Sequence, residues 1–334
     1  MPTPTPMSLL DLEIAPGRPP MVRTERADDP PAWAELNQPA LRAIALEYGA
    51  VLVRGLGLSD PAGVEAVFRR IGGDLVIERE AFAARQTYAE GVYSSPTWPP
   101  NQPMCMHHEL SYRTEVPGLL LVACLTAPTA GGATAVADAG AVLGELPPDL
   151  VERFERDGWL LTRSYHDDIG ASVADAFGTD DPEAVERYCR THGIEVEWLS
   201  DGGLRTRQRR PAVVRHPISN VRCWFNQVAF LSEWTMDLEV RDFLVDVYGP
   251  DRLPFATRFG NGDPIDPDVV RQINDVYDAH TVREPWHPGD LLVVDNVRAA
   301  HSREAYDGDR EILVAMAEPF RPADGSTAVG RADQ

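Results

Sequence analysis

Met104-Cys105-Met106-His107-His108-Glu109-Leu110-Ser111-Tyr112 sets two histidines and a glutamate inside an apolar run. The pattern predicts a strand over 103–110, and side chains alternate across a strand. His107 and Glu109 then share one face, and His108 points to the other. A metal site of two histidines and one carboxylate needs such a pair, completed by a distant histidine, with positions left open. The chain holds eight histidines, so a lone H-x-[D/E] match is weak evidence. A second match, His166-Asp167-Asp168, follows the strand-like "WLLTRSY" just before Gly170. That segment reads as a turn, where the shared-face argument fails, so His107 with Glu109 is the preferred pair.

The surrounding pattern is one of strands. "PMCMHHEL", "GLLLVACL" and "ATAVAD" are separated by proline and by the "TAGG" turn. Upstream, "PALRAIALEYG" and "SDPAGVEAVFRRIG" read as helices around the buried strand "AVLVRG". Ser59 and Asp60 are candidate caps, with Pro61 where a first turn tolerates it. The middle is mixed: "PPDLVERFERDG", "DPEAVERYCRTHG", "LEVRDFLVDVYG" and "DPDVVRQINDVYDAH" read as helices, while "WLLTRSY", "LRTRQ", "AVVRH" and "RCWFNQV" read as strands. The end is strand-rich, in "HTVREPW", "GDLLVVDN" and "REILVAMAE". Strands at both ends with helices between them predict a mainly β fold with helical insertions, an antiparallel sandwich or small barrel. A doubly wound nucleotide fold needs regular β-α alternation and a Gly-rich turn, and the sequence has neither. The expected organisation is a flexible segment over 1–35, one domain over 36–320 with an insert near 140–285, and a flexible tail over 321–334.

Composition narrows the chemistry. The net charge of −21 comes from 31 basic and 52 acidic side chains. So acidic a surface disfavours nucleic acid and anionic membranes. There is no lysine, which excludes Schiff-base catalysis and a Walker-A phosphate loop. Cys105, Cys124, Cys189 and Cys223 are scattered, as expected of buried thiols in a reducing compartment. No N-terminal stretch has a signal-peptide pattern, and "LLLVACL" is too short to cross a bilayer. A cytoplasmic protein is expected.

The third ligand should sit near the end of a buried strand. "GDLLVVDNVRAAHSREAYDGDREILVAM" offers Asp295, Asn296 and His301 after its apolar run. Of the competitors, His280 closes a helix and His287 lies in a turn. Arg310 then enters the apolar strand "REILVAM", where a guanidinium suits a carboxylate partner. Thr134, after the turn glycines of "AGGAT", can aim a hydroxyl at the same anion.

Together "HHE" at 107–109, Thr134, His301 and Arg310 resemble the taurine dioxygenase (TauD/TfdA) family of iron(II)/2-oxoglutarate-dependent oxygenases. The likeness runs over roughly 37–320 and is nearest to the branch with amino-acid hydroxylases of natural-product (nonribosomal peptide) pathways. "VYSSPTWPPNQPMCMHHELSY", "PTAGGATAVAD", "FGTDDPEAVERYCRTHGIEVEW", "LRTRQRRPAVVRHP", "WFNQ" and "DNVRAAHSREAYDGDR" carry it. The resemblance implies a double-stranded β-helix (jelly roll, cupin-like) with a helical lid. Iron(II) would be held by His107, Glu109 and His301, and 2-oxoglutarate by Arg310 and Thr134. Oxygen and 2-oxoglutarate would give succinate, carbon dioxide and an oxidant able to hydroxylate an unactivated C–H bond. The carboxylate of Glu109 argues against halogenation, since related halogenases carry a small residue there.

The chain departs from the family pattern at four places. His108 stands where asparagine is common, and the gap from His301 to Arg310 is short, which keeps Arg303 as a second candidate. "VAFLSEW" lacks a histidine, and "ASVADAF" lacks a Trp-Gln pair. The substrate implied is a small amino-acid-like molecule, free or tethered to a carrier protein, and a homo-oligomer is allowed. Arg163, Tyr165, Arg207 and Asn226 are the candidate substrate contacts, and desaturation or cyclisation is the alternative outcome. The competing readings are a cupin-like metal lyase or isomerase that does not use 2-oxoglutarate, and a non-catalytic β-sandwich binding protein.

Overall fold

The computed structural model describes residues 10–322 except 26, 167, 168 and 201. A larger sheet has eight strands in the spatial order Leu12–Glu13, Met21–Arg23, Ala50–Arg54, Leu291–Asp295, Val116–Thr126, Glu311–Phe320, Val92–Ser94 and Thr87–Ala89. A smaller sheet has four, in the order Thr281–Val282, Thr134–Asp138, Ala299–Arg303 and Met104–His107. Pairing in the larger sheet is antiparallel apart from Met21–Arg23 alongside Ala50–Arg54. All three pairings of the smaller sheet are antiparallel.

Side-chain parity explains the layers. Leu119, Leu121 and Ala123 pack with Val51, Val53, Val293 and Leu313 against Leu41, Phe68 and Ile71. The last three belong to the helices Pro30–Tyr48 and Pro61–Gly72. The alternate residues Leu120, Val122 and Cys124 pack with Val294 and Val314 and with Met104, Met106, Ala135 and Ala137 of the smaller sheet. A sheet covered on both faces needs apolar side chains at consecutive positions, and this is why "LLLVACL" is a solid run. The helix Pro61–Gly72 begins as its sequence predicts, with the Asp60 carboxylate accepting from Gly63 N at 2.9 Å.

Several expectations need correction. The segment expected to be flexible is built into the fold from residue 10, where Leu12–Glu13 and Met21–Arg23 extend the larger sheet. Met21 and Val22 are fully buried, so pairing there also buries apolar surface. Residues 1–9 and, in the expected tail, 323–334 lie outside the described residues. The insert is mixed, as its sequence predicts: it carries its own sheet in the order Glu195–Trp198, Leu204–Arg210, Trp159–Tyr165 and Phe255–Phe259, with the strand-like "LRTRQ" and "WLLTRSY" at its centre. "HTVREPW" supplies only the short strand Thr281–Val282. Among the described residues no helix is long and apolar enough to cross a membrane.

Leu121 is fully buried between the larger sheet and its two helices. Leu121→Ala should destabilise the protein by about 2 to 5 kcal/mol through lost burial and a residual cavity, measured by urea unfolding.

Candidate metal centre

Two of the three expected ligands are fixed by strand pairing. In the smaller sheet His301 lies opposite His107 on one side and Val136 on the other. The imidazole centroids are 4.2 Å apart. His301 does not directly follow the apolar strand Leu291–Asp295; it sits inside the next strand, Ala299–Arg303. Ser302 and Arg303, with Arg298 just before the strand, leave it without an apolar pattern in the sequence.

The third expected ligand arrives differently. The strand predicted over 103–110 stops at His107, and Glu109 belongs to the turn that follows. Leu110 takes a left-handed conformation at φ 53°, costly for a bulky residue. Asn296 holds this turn, its side-chain oxygen accepting from Glu109 N at 2.8 Å. Its amide nitrogen donates to Glu109 O at 3.0 Å and to Pro117 O at 2.8 Å. The carboxylate is thereby returned to the histidines, with Oε2 3.5 Å from His301 Nε2. One ligating atom from each of His107, Glu109 and His301 lies within 4.8 Å of the others, and all three residues are buried.

Their electrostatics suit a divalent cation. His107 Nδ1–H donates to the Cys105 carbonyl at 2.8 Å, which leaves the Nε2 lone pair free. The ring stacks on Phe230 with centroids 4.3 Å apart. Burial pushes His107 down to about 3, and His301 adds to the effect, so the imidazole is neutral and able to ligate. Burial alone would raise Glu109, but the Arg85 guanidinium and His301 hold it at about 2. Arg85 Nη2 donates to Glu109 Oε1 at 2.9 Å.

His108 faces away, as alternation predicts, and has a structural part. Its Nδ1 bonds the Asn296 carbonyl at 2.6 Å, and its ring packs on Phe225 at 4.8 Å. Its own carbonyl accepts from Gln227 Nε2 at 2.7 Å, tying the ligand turn to the insert.

Thr134 and Arg310 line the same cavity as the three candidate ligands. Arg310 Nε donates to Gly132 O at 3.1 Å and Nη1 to Ser95 Oγ at 3.3 Å. Among the described residues it has no carboxylate partner, and burial together with the charge of Arg303 lowers it to about 10. The turn beneath it requires glycine: a Cβ on Gly131, at φ +66°, would lie 2.2 Å from Ala305 O. Arg303 also lines the cavity but is engaged by the carbonyls of Trp98 and Pro99, at 3.3 and 2.8 Å, and of Gln102.

None of the expected substrate contacts lines this cavity. Arg163 donates to the carbonyls of Glu80 and Ala81, each at 2.8 Å. Tyr165 packs on Phe177 in the small core of the insert. Arg207 is exposed, and Asn226 donates to Ala212 O across the paired strands Val213–Arg215 and Arg222–Trp224 and accepts from Val228 N. His166 meets the Arg252 carbonyl at 3.0 Å and the Tyr248 ring; Asp167 and Asp168 lie outside the described residues. Arg85 and Ser95 are cavity residues without a sequence signal. Asn296 had one, its place directly after a buried strand, but its part is to hold a ligand rather than to be one.

Two histidines, one of them held neutral by burial, and one ionised carboxylate match the donor set of non-haem iron oxygenases, and the nearby guanidinium without a carboxylate partner matches a carboxylate co-substrate. These residues therefore fit iron(II) and 2-oxoglutarate. The family model described as taurine catabolism dioxygenase TauD, TfdA family matches residues 13–316, and the chain belongs to that family. It is accordingly an iron(II)/2-oxoglutarate-dependent oxygenase. The dapdiamide synthesis protein DdaC of Enterobacter agglomerans is 32% identical over 280 residues, covering 84% of this chain and 85% of that protein. A putative α-ketoglutarate-dependent taurine dioxygenase from Burkholderia xenovorans superposes with a TM-score of 0.54 at 14% identity, covering 94% of this chain and 91% of its own. PvcB of Pseudomonas aeruginosa, an iron, α-ketoglutarate-dependent oxygenase from an isonitrile synthetic pathway, superposes with a TM-score of 0.51 at 16% identity. That match covers 92% of this chain and 89% of PvcB.

Asn296→Ala should weaken manganese(II) or iron(II) binding roughly 10- to 100-fold, measured by metal titration of the folded variant. The metal-free protein should also lose stability as pH falls. Folded His107 and His108 resist protonation down to about 3 and about 4, whereas unfolded histidine takes up a proton near 6.5. The unfolded state thus binds more protons below that pH, and the melting temperature should drop as pH is lowered from about 6.5 towards 4.

Proposed function

We propose that this oxygenase hydroxylates an unactivated C–H bond of an amino acid or amino-acid-derived small molecule in a natural-product pathway. The observation that carries the co-substrate site is Arg310, a half-buried guanidinium without a carboxylate partner among the described residues, in one cavity with His107, Glu109 and His301. These three would hold iron(II). Arg310 would pair with the distal carboxylate of 2-oxoglutarate, and Thr134 would donate its hydroxyl to the same group. The two facing sheets are read as a double-stranded β-helix, the jelly roll, with the insert as its lid. The substrate class is supported by DdaC, whose name assigns it to dapdiamide synthesis, and by PvcB, assigned to an isonitrile synthetic pathway. It includes amino acids met free and those tethered to a carrier protein.

Bound iron supplies oxygen activation coupled to the oxidation of 2-oxoglutarate. The chain's own residues prepare for it. His107 is held in one tautomer by Cys105 O, and Glu109 is already ionised beside Arg85, so loading a cation releases no proton from either. Arg310 would orient the co-substrate through its three remaining N–H donors, while Gly132 O and Ser95 Oγ fix the guanidinium plane. Phe230 covers His107 and keeps water from one side of the ring. Glu109 fills the position that halogenation would need free.

Anaerobic addition of iron(II) and 2-oxoglutarate should produce a weak visible charge-transfer band, and its absence from the wild type would sink this assignment. His107→Ala and His301→Ala should each abolish iron-dependent succinate formation, while His166→Ala retains it. Arg310→Ala should raise the 2-oxoglutarate requirement more than about tenfold. Turnover of an amino-acid panel, free and thioester-linked, identifies the substrate.

A further inference from the structure

Arg85 lies in the segment that precedes the strand Thr87–Ala89, away from the strands that carry the histidines. Its side chain is almost fully buried between two carboxylates, with Nε 3.1 Å from Glu78 Oε1 and Nη2 2.9 Å from Glu109 Oε1. A third donor, Nη1, approaches Ser94 O at 3.5 Å. The two oxygens of Glu109 therefore have different neighbours. Oε1 belongs to Arg85, and Oε2 is the one 3.5 Å from His301 Nε2.

We propose that Arg85 is a positioning residue that confines Glu109 to a single ligating oxygen. An unrestrained carboxylate can chelate a cation through both oxygens. Doing so here would consume a position that a dicarboxylate co-substrate and oxygen require. A charge-assisted bond from a planar guanidinium occupies Oε1 in a buried setting, where it is strong and directional. Glu78 is the backing element. If Arg85 swung away from Glu109 to free Oε1, Glu78 would be left as a buried charge without its partner. Arg85 is thus held from one side so that it can hold the ligand from the other.

This inference rests on the metal assignment above, and its test is spectroscopic. Manganese(II) is loaded into the full chain, and water on the ion is counted from the broadening of its EPR lines in oxygen-17 water. Arg85→Met should bind manganese(II) with an affinity within about tenfold of wild type, yet carry about one exchangeable water fewer as Glu109 chelates. Glu78→Gln should keep the wild-type count, because Arg85 still reaches Glu109. Equal counts in wild type and Arg85→Met, both metal-loaded, would overturn the proposal. So would an Arg85→Met variant that only binds more weakly with its water count unchanged, since that is the result of a merely structural role. If circular dichroism shows Arg85→Met to be unfolded, the double variant Glu78→Gln/Arg85→Met, which leaves no orphaned Glu78 charge, is judged by the same counts. Failure of wild type to bind manganese(II) would instead remove the metal site itself, and this inference with it.

Discussion

The side-chain amide of Asn296 is the interaction on which the site depends. It bonds both the N–H and the carbonyl of Glu109 and reaches Pro117 O as well. Without it, Glu109 would ride on a turn that includes a left-handed leucine, a conformation costing about 1 to 3 kcal/mol. Burial of Leu110, which is 1% exposed, offsets part of that cost, and the amide supplies the direction. The same region anchors the insert. Asp295 accepts from His216 Nε2 at 2.9 Å, and the Asn296 carbonyl meets His108. These bonds, with Gln227 on the His108 carbonyl, tie the insert to the turn that carries Glu109.

Charge in this interior is distributed by partner. Arg85 stands between two carboxylates, Arg303 among carbonyls, and Arg310 beside neutral oxygens alone. Desolvated cations without anions are expensive; Arg303 offsets this with three carbonyl partners, whereas Arg310 has one carbonyl and one hydroxyl. With no lysine in the chain, every such role falls to a guanidinium, whose fork also imposes orientation.

Much of this was legible in the sequence because it follows from local pattern. The solid apolar runs, the capped helices and the separation of His107 from His108 depend on neighbours a few residues apart. Three things were not legible. The strand carrying His301 interleaves polar residues that face the cavity, and these disguise it as a loop. The end of the strand at His107 depends on Asn296, which is remote in sequence. Arg163, Tyr165, Arg207 and Asn226 have the chemistry of ligand contacts, but the insert turns them to backbone carbonyls, to its own core or to solvent. Whether a polar side chain meets a cavity or a carbonyl is decided by tertiary packing, and no period in the sequence records it.

The ligands also differ in how they are anchored. His107 and His301 are cross-strand neighbours, so their spacing belongs to the hydrogen-bond ladder and cannot change without unzipping the sheet. Glu109 lies past the end of that ladder, held through its backbone by Asn296. The grip on residue 109 is thus indifferent to which side chain it bears. The scaffold sets two candidate ligands in the ladder and the third outside it, so a change of side chain at residue 109 leaves the pairing of the sheet untouched.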